Sequence, residues 1–311
     1  MSRPEGPWQP GLTVVVPCYD EERAVEATIT SLIAVLDALA DDVDAPLDGE
    51  VIAVDDGSRD RTGALLDALD AQHRRLRVIH HPTNRGYGAS LKRGIAQARY
   101  DRIAITDADG TYPNEQLPAL VRSLGDAPGR NGADMVVGAR TGANVHVPLV
   151  RRPAKWLLLQ YARSMSRADI RDVNSGLRAL WTRHVSTFWT MLPDTFSFTT
   201  TITLAMHASH LDVVYRPIDY HPRVGASAIR PVRDTLRFFS LVLRTTMYFR
   251  PLPVFGGIAV LLVLLAIGVG TIGRALTGQV PDVITVSLFQ TGLIFFGLGL
   301  IGDLINARRG R

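Results

Sequence analysis

The sequence predicts an α/β domain built on a largely parallel sheet, followed by two helices able to cross a membrane. Three observations predict it. From Leu12 onward, short β-branched runs alternate with amphipathic runs, the pattern of strands exchanging with helices. Two stretches without a charge, 23 residues between Arg250 and Arg274 and 20 between Asp282 and Asp303, reach the roughly 20 residues that a spanning helix needs. The 311-residue chain is 46% hydrophobic and 21% charged, which suits a folded protein with a sizeable core rather than a disordered tail.

LTVVV (Leu12 to Val16) reads as a buried strand, and Ala24 to Ala40 as a helix with Ile29, Leu32, Ile33 and Leu36 on one face. The acidic DDVDAPLDG (Asp41 to Gly49) is a loop, because its Pro and Gly interrupt both periodicities. EVIAV (Glu50 to Val54) is a second strand, Thr62 to Arg75 a helix, LRVIH (Leu76 to His80) a third strand, Ala89 to Arg99 a helix, and RIAIT (Arg102 to Thr106) a fourth strand. Strand-to-helix units repeated in this way require crossovers, hence parallel strands with helices on both faces. DMVVGA (Asp134 to Ala139) and DVVYRPI (Asp212 to Ile218) add strands after longer excursions. Pro231 to Phe249 is Arg-studded and spaces Leu236, Phe239, Leu243 and Met247 along one helical face, so it is expected to lie in the membrane interface. The two uncharged stretches then form a hairpin. Arg233, Arg237, Arg244 and Arg250 precede it and Arg308, Arg309 and Arg311 follow it, while the connection 274–282 holds only Arg274. That asymmetry predicts both ends on the cytoplasmic side.

Composition removes several function classes. The single cysteine, Cys18, excludes an internal disulfide. The formal net charge is +4, and residues 230–311 hold nine Arg against three Asp, so the basic excess lies at the C-terminal end. A nucleic-acid-binding domain would carry it on the folded part, whereas an anionic membrane surface attracts it where it is. The first eleven residues lack the apolar core of a signal peptide, so the α/β domain is expected to be made in the cytosol and to stay there.

In a sheet of this kind ligands bind beyond the carboxyl ends of the strands. Four polar clusters stand there: Pro17-Cys18-Tyr19-Asp20-Glu21, Asp55-Asp56-Gly57-Ser58, Asn84-Arg85-Gly86-Tyr87-Gly88 and Asp107-Ala108-Asp109. Singly, each has a plain alternative, since Asp and Ser build turns and helix caps. Asp107 and Asp109 are two apart, and on extended backbone both carboxylates would face one hard cation able to bridge to a diphosphate. Dinucleotide binding requires G-x-G-x-x-G after the first strand, and residues 17–23 contain no glycine. Gly86-Tyr87-Gly88 is followed by Leu91 where the third glycine belongs, and no G-x-x-x-x-G-K-[ST] loop occurs.

VVVPCYDEE, VIAVDDGSRDRT, NRGYGASLKRG, ITDADG and DVNSGLRAL, in this order and spacing, resemble the glycosyltransferase family 2 catalytic domain with the GT-A fold. They are most similar to the branch of dolichol-phosphate mannose synthases and polyprenyl-phosphate glucosyltransferases. The resemblance runs from about Leu12 to Arg250. It implies nucleotide contacts from Pro17, Tyr19, Glu21, Asp55, Gly57 and Asp107, with Asp56 in support. It implies Mg2+ or Mn2+ on Asp107 and Asp109, and catalysis carried by these two with Arg140. Arg151, Arg152, Arg223 and Ser227 would hold the acceptor phosphate, and Asp172, Asn174, Ser175 and Gly176 would border the sugar. The implied organisation is a tail (1–11), a GT-A domain (12–229), a juxtamembrane amphipathic helix (230–250), two spans (251–305, about 251–273 and 283–302) and a basic cytoplasmic tail (306–311).

Three departures stand out. Thr111 replaces the Gln usual two residues past the second metal aspartate, the stretch after Ser197 lacks the usual Glu, and Ala228 replaces a frequent Lys. The implied reaction is inverting transfer of a hexose from a UDP- or GDP-sugar to polyprenyl phosphate, the partners being that donor, that lipid and the bilayer, without nucleic acid; homo-oligomerisation stays open. The alternatives are a non-processive transferase acting on a glycolipid or polysaccharide, and a catalytically silent sugar-nucleotide-binding scaffold. The Q-x-x-R-W motif of processive synthases is absent. His207 and His210 lack a third ligand for a metal, and Trp156, Trp181 and Trp189 are expected to serve apolar packing or the membrane rim before any sugar contact.

Overall fold

The computed structural model describes residues 2–141, 170–195, 197–222, 247 and 251–309. They fall into two compact units, an α/β unit and a C-terminal helix pair. In the first, β1 (Gln9–Cys18) is followed by α1 (Val25–Ala40), β2 (Gly49–Asp55), α2 (Thr62–Asp70), β3 (Leu76–His80), α3 (Tyr87–Ile95) and β4 (Tyr100–Ile105). The chain continues through α4 (Leu117–Val121), β5 (Met135–Ala139), β6 (Arg178–Trp181), α5 (Thr182–Thr187), α6 (Phe198–Ala208) and β7 (Val213–Pro217).

The seven strands form one sheet in the order β3-β2-β1-β4-β6-β5-β7. Strands β1 to β4 run parallel, β7 runs parallel to β5, and β6 is antiparallel to both of its neighbours. The chain winds outward from β1 to β3 and then returns to the opposite side of β1 as β4. This reversal opens a crevice beyond the carboxyl ends of β1 and β4, where a ligand can enter. Every residue of β2 is buried, as are Leu12 to Val16 of β1, which is why these strands read as continuous apolar runs rather than alternating ones. Val14, Val16, Val51 and Ala53 join Ile29, Leu32 and Leu36 of α1 in the main core.

Several elements, helices α4 and α5 among them, differ from the sequence expectation. Helix α2 ends at Asp70 rather than Arg75, because Gln72 to Arg75 bring no apolar side chain to bury and Arg75 instead reaches Asp37 and Asp48. Helix α3 spans Tyr87–Ile95 rather than Ala89 to Arg99; Gly86, at φ 101°, lets the chain enter it early. Strand β6 was not anticipated.

The second unit is α7 (Pro251–Thr277) joined by a short turn to α8 (Asp282–Arg309). At 1.5 Å per residue each is about 40 Å long, more than the roughly 30 Å of a bilayer's hydrocarbon. Both are long and apolar enough to cross a membrane, and their apolar side chains are mostly exposed. Glycines let the two helices approach closely: a Cβ on Gly292 would stand 3.1 Å from Val263, and one on Gly299 3.1 Å from Phe255. Small residues at such a seam are what helices without a hydrophobic driving force between them require. Thr271 and Thr291 return their hydroxyls to Ile267 O and Ser287 O at 2.9 and 2.7 Å, which suits apolar surroundings. The expected interface helix 230–250, apart from helical Met247, lies outside the described residues.

Candidate active site

The loops after β1 and β2 are laced together. Asp56 N donates to Cys18 O at 2.8 Å, Asp20 Oδ1 accepts from Arg59 N at 2.7 Å, Glu21 N donates to Thr62 Oγ1 at 2.8 Å, and Glu22 Oε2 accepts from Arg61 N at 3.1 Å. Pro17, Tyr19 and Glu21 are thereby held beside Asp55 and Gly57. Tyr19 is 37% exposed. Buried Cys18 lies beneath this edge, its thiol pushed far up by burial and then by the charges of Asp55, Glu21 and Asp107, so it is inert as a nucleophile.

The two adjacent aspartates divide the work. Asp55 Oδ1 accepts from Ser58 N at 3.0 Å, and Oδ2 faces His80 Nδ1 at 2.9 Å. Asp56 turns inward, where Oδ1 meets His81 Nδ1 at 2.7 Å and Arg85 N at 2.9 Å, and Oδ2 accepts from Gly86 N at 2.8 Å. Bonds of this charge-assisted kind contribute about 1.5–3 kcal/mol each, so Asp56 shapes the loop after β3. Gly57 has φ 72°, and a Cβ there would lie 2.8 Å from Thr83 Cα. Gly86 and Gly88 do not form a phosphate cradle. They make room for the 193–195 backbone: a Cβ on Gly88 would lie 2.2 Å from Pro193 O.

Beyond β4 the backbone is not extended through the acidic pair, as the sequence reading assumed. The strand ends at Ile105, and Ala108-Asp109 turn into Gly110, at φ 72°. Two anchors make the turn. Ala108 is buried in the core, and Asp109 Oδ1 accepts from Thr111 N at 3.1 Å and Thr111 Oγ1 at 2.6 Å. Thr111 thus fixes the plane of the Asp109 carboxylate, the part it takes where the resemblance leads one to expect Gln. Asp107 Oδ1 accepts from Tyr87 OH at 2.9 Å, and burial followed by the Asp107 charge raises the Tyr87 pKa well above its ordinary value, keeping the hydroxyl a donor.

Loop 172–176 closes the crevice from the side of β6. A Cβ on Gly176 would stand 2.7 Å from Asp107 Oδ2, and Gly176 N donates to Tyr112 OH at 2.6 Å. Asp172 is the orienting partner of Arg140. Its Oδ2 accepts from Arg140 Nε at 2.8 Å and its Oδ1 from Nη2 at 2.9 Å, while the guanidinium lies over Tyr220 at 5.3 Å. Asn174 Oδ1 accepts from Thr200, and Ser175 Oγ donates to Gly138 O. Arg151, Arg152, Arg223 and Ser227 lie outside the described residues.

Sequence reasoning missed several side chains that build this edge. Arg178, at the start of β6, is fully buried and binds Ser175 O, Thr199 O and Thr203 Oγ1, tying the loop to α6. His80, His81 and Tyr112 were also passed over, because their partners come from other parts of the fold. Elsewhere, His207 bonds to Tyr215 at 3.0 Å, and Trp181 and Trp189 are buried beneath Arg102 and Lys92.

Among the described residues no group of three or more His, Cys, Asp or Glu is placed to hold a metal alone. Two carboxylates at a ligand crevice suit Mg2+ or Mn2+, hard ions commonly held by one or two carboxylates with substrate phosphates and water.

Residues 13–186 match the profile of Glycosyl transferase family 2, more than half of the chain. The chain belongs to that family. This family 2 glycosyltransferase is 29% identical to a low-salt glycan biosynthesis hexosyltransferase of Haloferax volcanii, over 93% of this chain and 68% of the relative. It is 32% identical to an undecaprenyl-phosphate mannosyltransferase of Micrococcus luteus over 53% of this chain and 64% of the relative. It is 29% identical to an undecaprenyl-phosphate 4-deoxy-4-formamido-L-arabinose transferase of Pseudomonas fluorescens over 95% and 85%. Among solved structures it resembles glucosyl-3-phosphoglycerate synthase from Mycobacterium tuberculosis, in complex with Mn2+, UDP-glucose and phosphoglyceric acid. The TM-score is 0.55 and the identity 20%, covering 76% of this chain and 80% of that one. That likeness establishes the GT-A-like fold of the α/β unit.

Proposed function

We propose that this glycosyltransferase moves a hexose from a UDP- or GDP-sugar to a polyprenyl phosphate, dolichyl or undecaprenyl, at the cytoplasmic face of a membrane that α7 and α8 span. The observation that carries the reading is the convergence of Asp55, Asp107, Asp109 and Arg140 on one switch-point crevice, in a chain that also holds two apolar helices and has polyprenyl-phosphate transferases among its relatives. Asp55 accepts a base N–H, Gly57 lets the loop after β2 pack against the Thr83 backbone beside the ribose, and Tyr19, Pro17 and Glu21 wall the base. Asp107 and Asp109 would hold Mg2+ or Mn2+, which when bound offsets the charge on the departing diphosphate.

Arg140 is oriented by Asp172 through Nε and Nη2, and its Nη1 has no hydrogen-bond partner among the described residues, so this edge serves a phosphate oxygen. A lipid monophosphate carries about 1.5–2 negative charges at neutral pH, so its oxygen attacks the anomeric carbon without a catalytic base. The bond to the diphosphate breaks as the new C–O bond forms on the opposite face, and the sugar inverts once. The site supplies alignment and charge stabilisation.

The test offers the purified full chain a panel of UDP- and GDP-sugars with polyprenyl phosphate in vesicles, with Mg2+ or Mn2+ and with chelator. Label entering the lipid-phosphate fraction with inverted anomeric configuration, and lost in chelator, is the expected result. Transfer only to a saccharide or glycolipid acceptor, or none to any acceptor, would overturn it.

A further inference from the structure

His80, at the end of β3, stands between two carboxylates. Its Nδ1 is 2.9 Å from Asp55 Oδ2 and its Nε2 is 2.9 Å from Asp67 Oδ1. Asp55 comes from β2 and Asp67 from α2, the two elements packed on this end of β3, and they are the charged groups acting on the ring among the described residues. Neutral imidazole offers one donor and one acceptor, so only the imidazolium satisfies both carboxylates. The clamp is sterically closed as well: a Cβ on Gly63 would lie 3.0 Å from Asp55 Oδ2 and 3.6 Å from His80 Cε1.

We infer that His80 is a positioning residue for the donor nucleotide, fixing the Asp55 carboxylate between β2 and α2 so that its remaining lone pairs meet the base. This rests on the reading of Asp55 as a nucleotide contact. His80 itself touches neither the sugar nor the reacting atoms, so its effect belongs to donor affinity rather than to the chemical step. The ring's pKa is raised chiefly by its bond to Asp55; burial opposes this, and the bond to Asp67 and the charges of both carboxylates leave the net direction upward. The clamp is therefore complete below about pH 6.5, the ordinary histidine value, and weakens as pH rises through the higher folded value and one donor and the positive charge are lost.

The experiment measures Kd for UDP and GDP with Mn2+, by calorimetry on the full chain in detergent between pH 5.5 and 9, together with donor KM and kcat. The ionisation of the diphosphate is common to every form and cancels between them. Asp67→Asn lies on the exposed face of α2 and should leave low-pH affinity unchanged while moving the fall in affinity to lower pH. His80→Gln keeps one neutral donor toward Asp55 and should bind with a flatter pH profile. His80→Ala should raise Kd and donor KM by about three- to tenfold, as expected for a half-exposed charged hydrogen bond, with kcat at saturating donor kept within about twofold. Superimposable pH profiles for the native chain, Asp67→Asn and His80→Gln would overturn the inference. Native affinity in Asp55→Asn would instead overturn the nucleotide reading on which it rests.

Discussion

Asp109 is buried and braced, with a backbone N–H and a hydroxyl of Thr111 both on Oδ1. Asparagine keeps an oxygen in that place, so Asp109→Asn preserves the turn and should fold with a Tm within a few degrees of the native chain. Its amide offers a hard cation no charge. Turnover is expected to fall by about a hundredfold or more, the size of loss seen when a transition-state charge loses its stabiliser. Thermal unfolding alongside transfer assays checks both halves, and undiminished turnover in the folded variant would remove Asp109 from the chemistry.

At the level of elements, the crevice is assembled from loops whose strands are far apart in sequence, and β6 is the piece that brings loop 172–176 against Asp107. The sequence could be read wherever a strand was buried and parallel, as in β2 and the Leu12 to Val16 stretch of β1, because their apolar runs and flanking polar clusters stand out against the helices. Strand β6 could not be read this way. It has four residues and opens on an arginine that looks solvent-facing, and only its pairing with β4 and β5 makes it a strand. The candidate carboxylates were legible because strand ends are where a doubly wound sheet binds ligands. His80 and Arg178 were not, since their meaning lies in contacts with other elements of the fold. The tight packing at Gly176 gives a direct test. Gly176→Ala would bring a Cβ to 2.7–2.9 Å from the Asp107 carboxyl group, so one of them must shift. Metal affinity, read by Mn2+ titration, should weaken about tenfold while stability changes by no more than about 1–2 kcal/mol, because the new methyl displaces a side chain at a surface crevice rather than the core.

For the molecule as a whole, the chain divides into an α/β unit and a helix pair, and the proposed function gives each a task of its own. Among the described residues the α/β unit has a continuous core that draws on β1, β2, α1, α2 and α4. A long-chain polyprenyl phosphate keeps its tail in the bilayer, since each buried methylene is worth about 0.8 kcal/mol, so if this lipid is the acceptor, as proposed, the crevice would have to meet the headgroup at the membrane surface. On the proposed function α7 and α8 would hold the enzyme there, and the Arg-rich sequence 230–250 would orient it, each Arg near an anionic leaflet contributing on the order of 1 kcal/mol. A chain ending at Arg250 is therefore expected to bind UDP or GDP and Mn2+ as the full protein does. It should transfer poorly to long-chain polyprenyl phosphate in vesicles and retain most of its activity toward a short, water-soluble prenyl phosphate. Calorimetry and paired acceptor assays check this: loss of nucleotide binding would make the hairpin part of the folded site, and full activity on vesicles would show that the spans do not bring enzyme and lipid together.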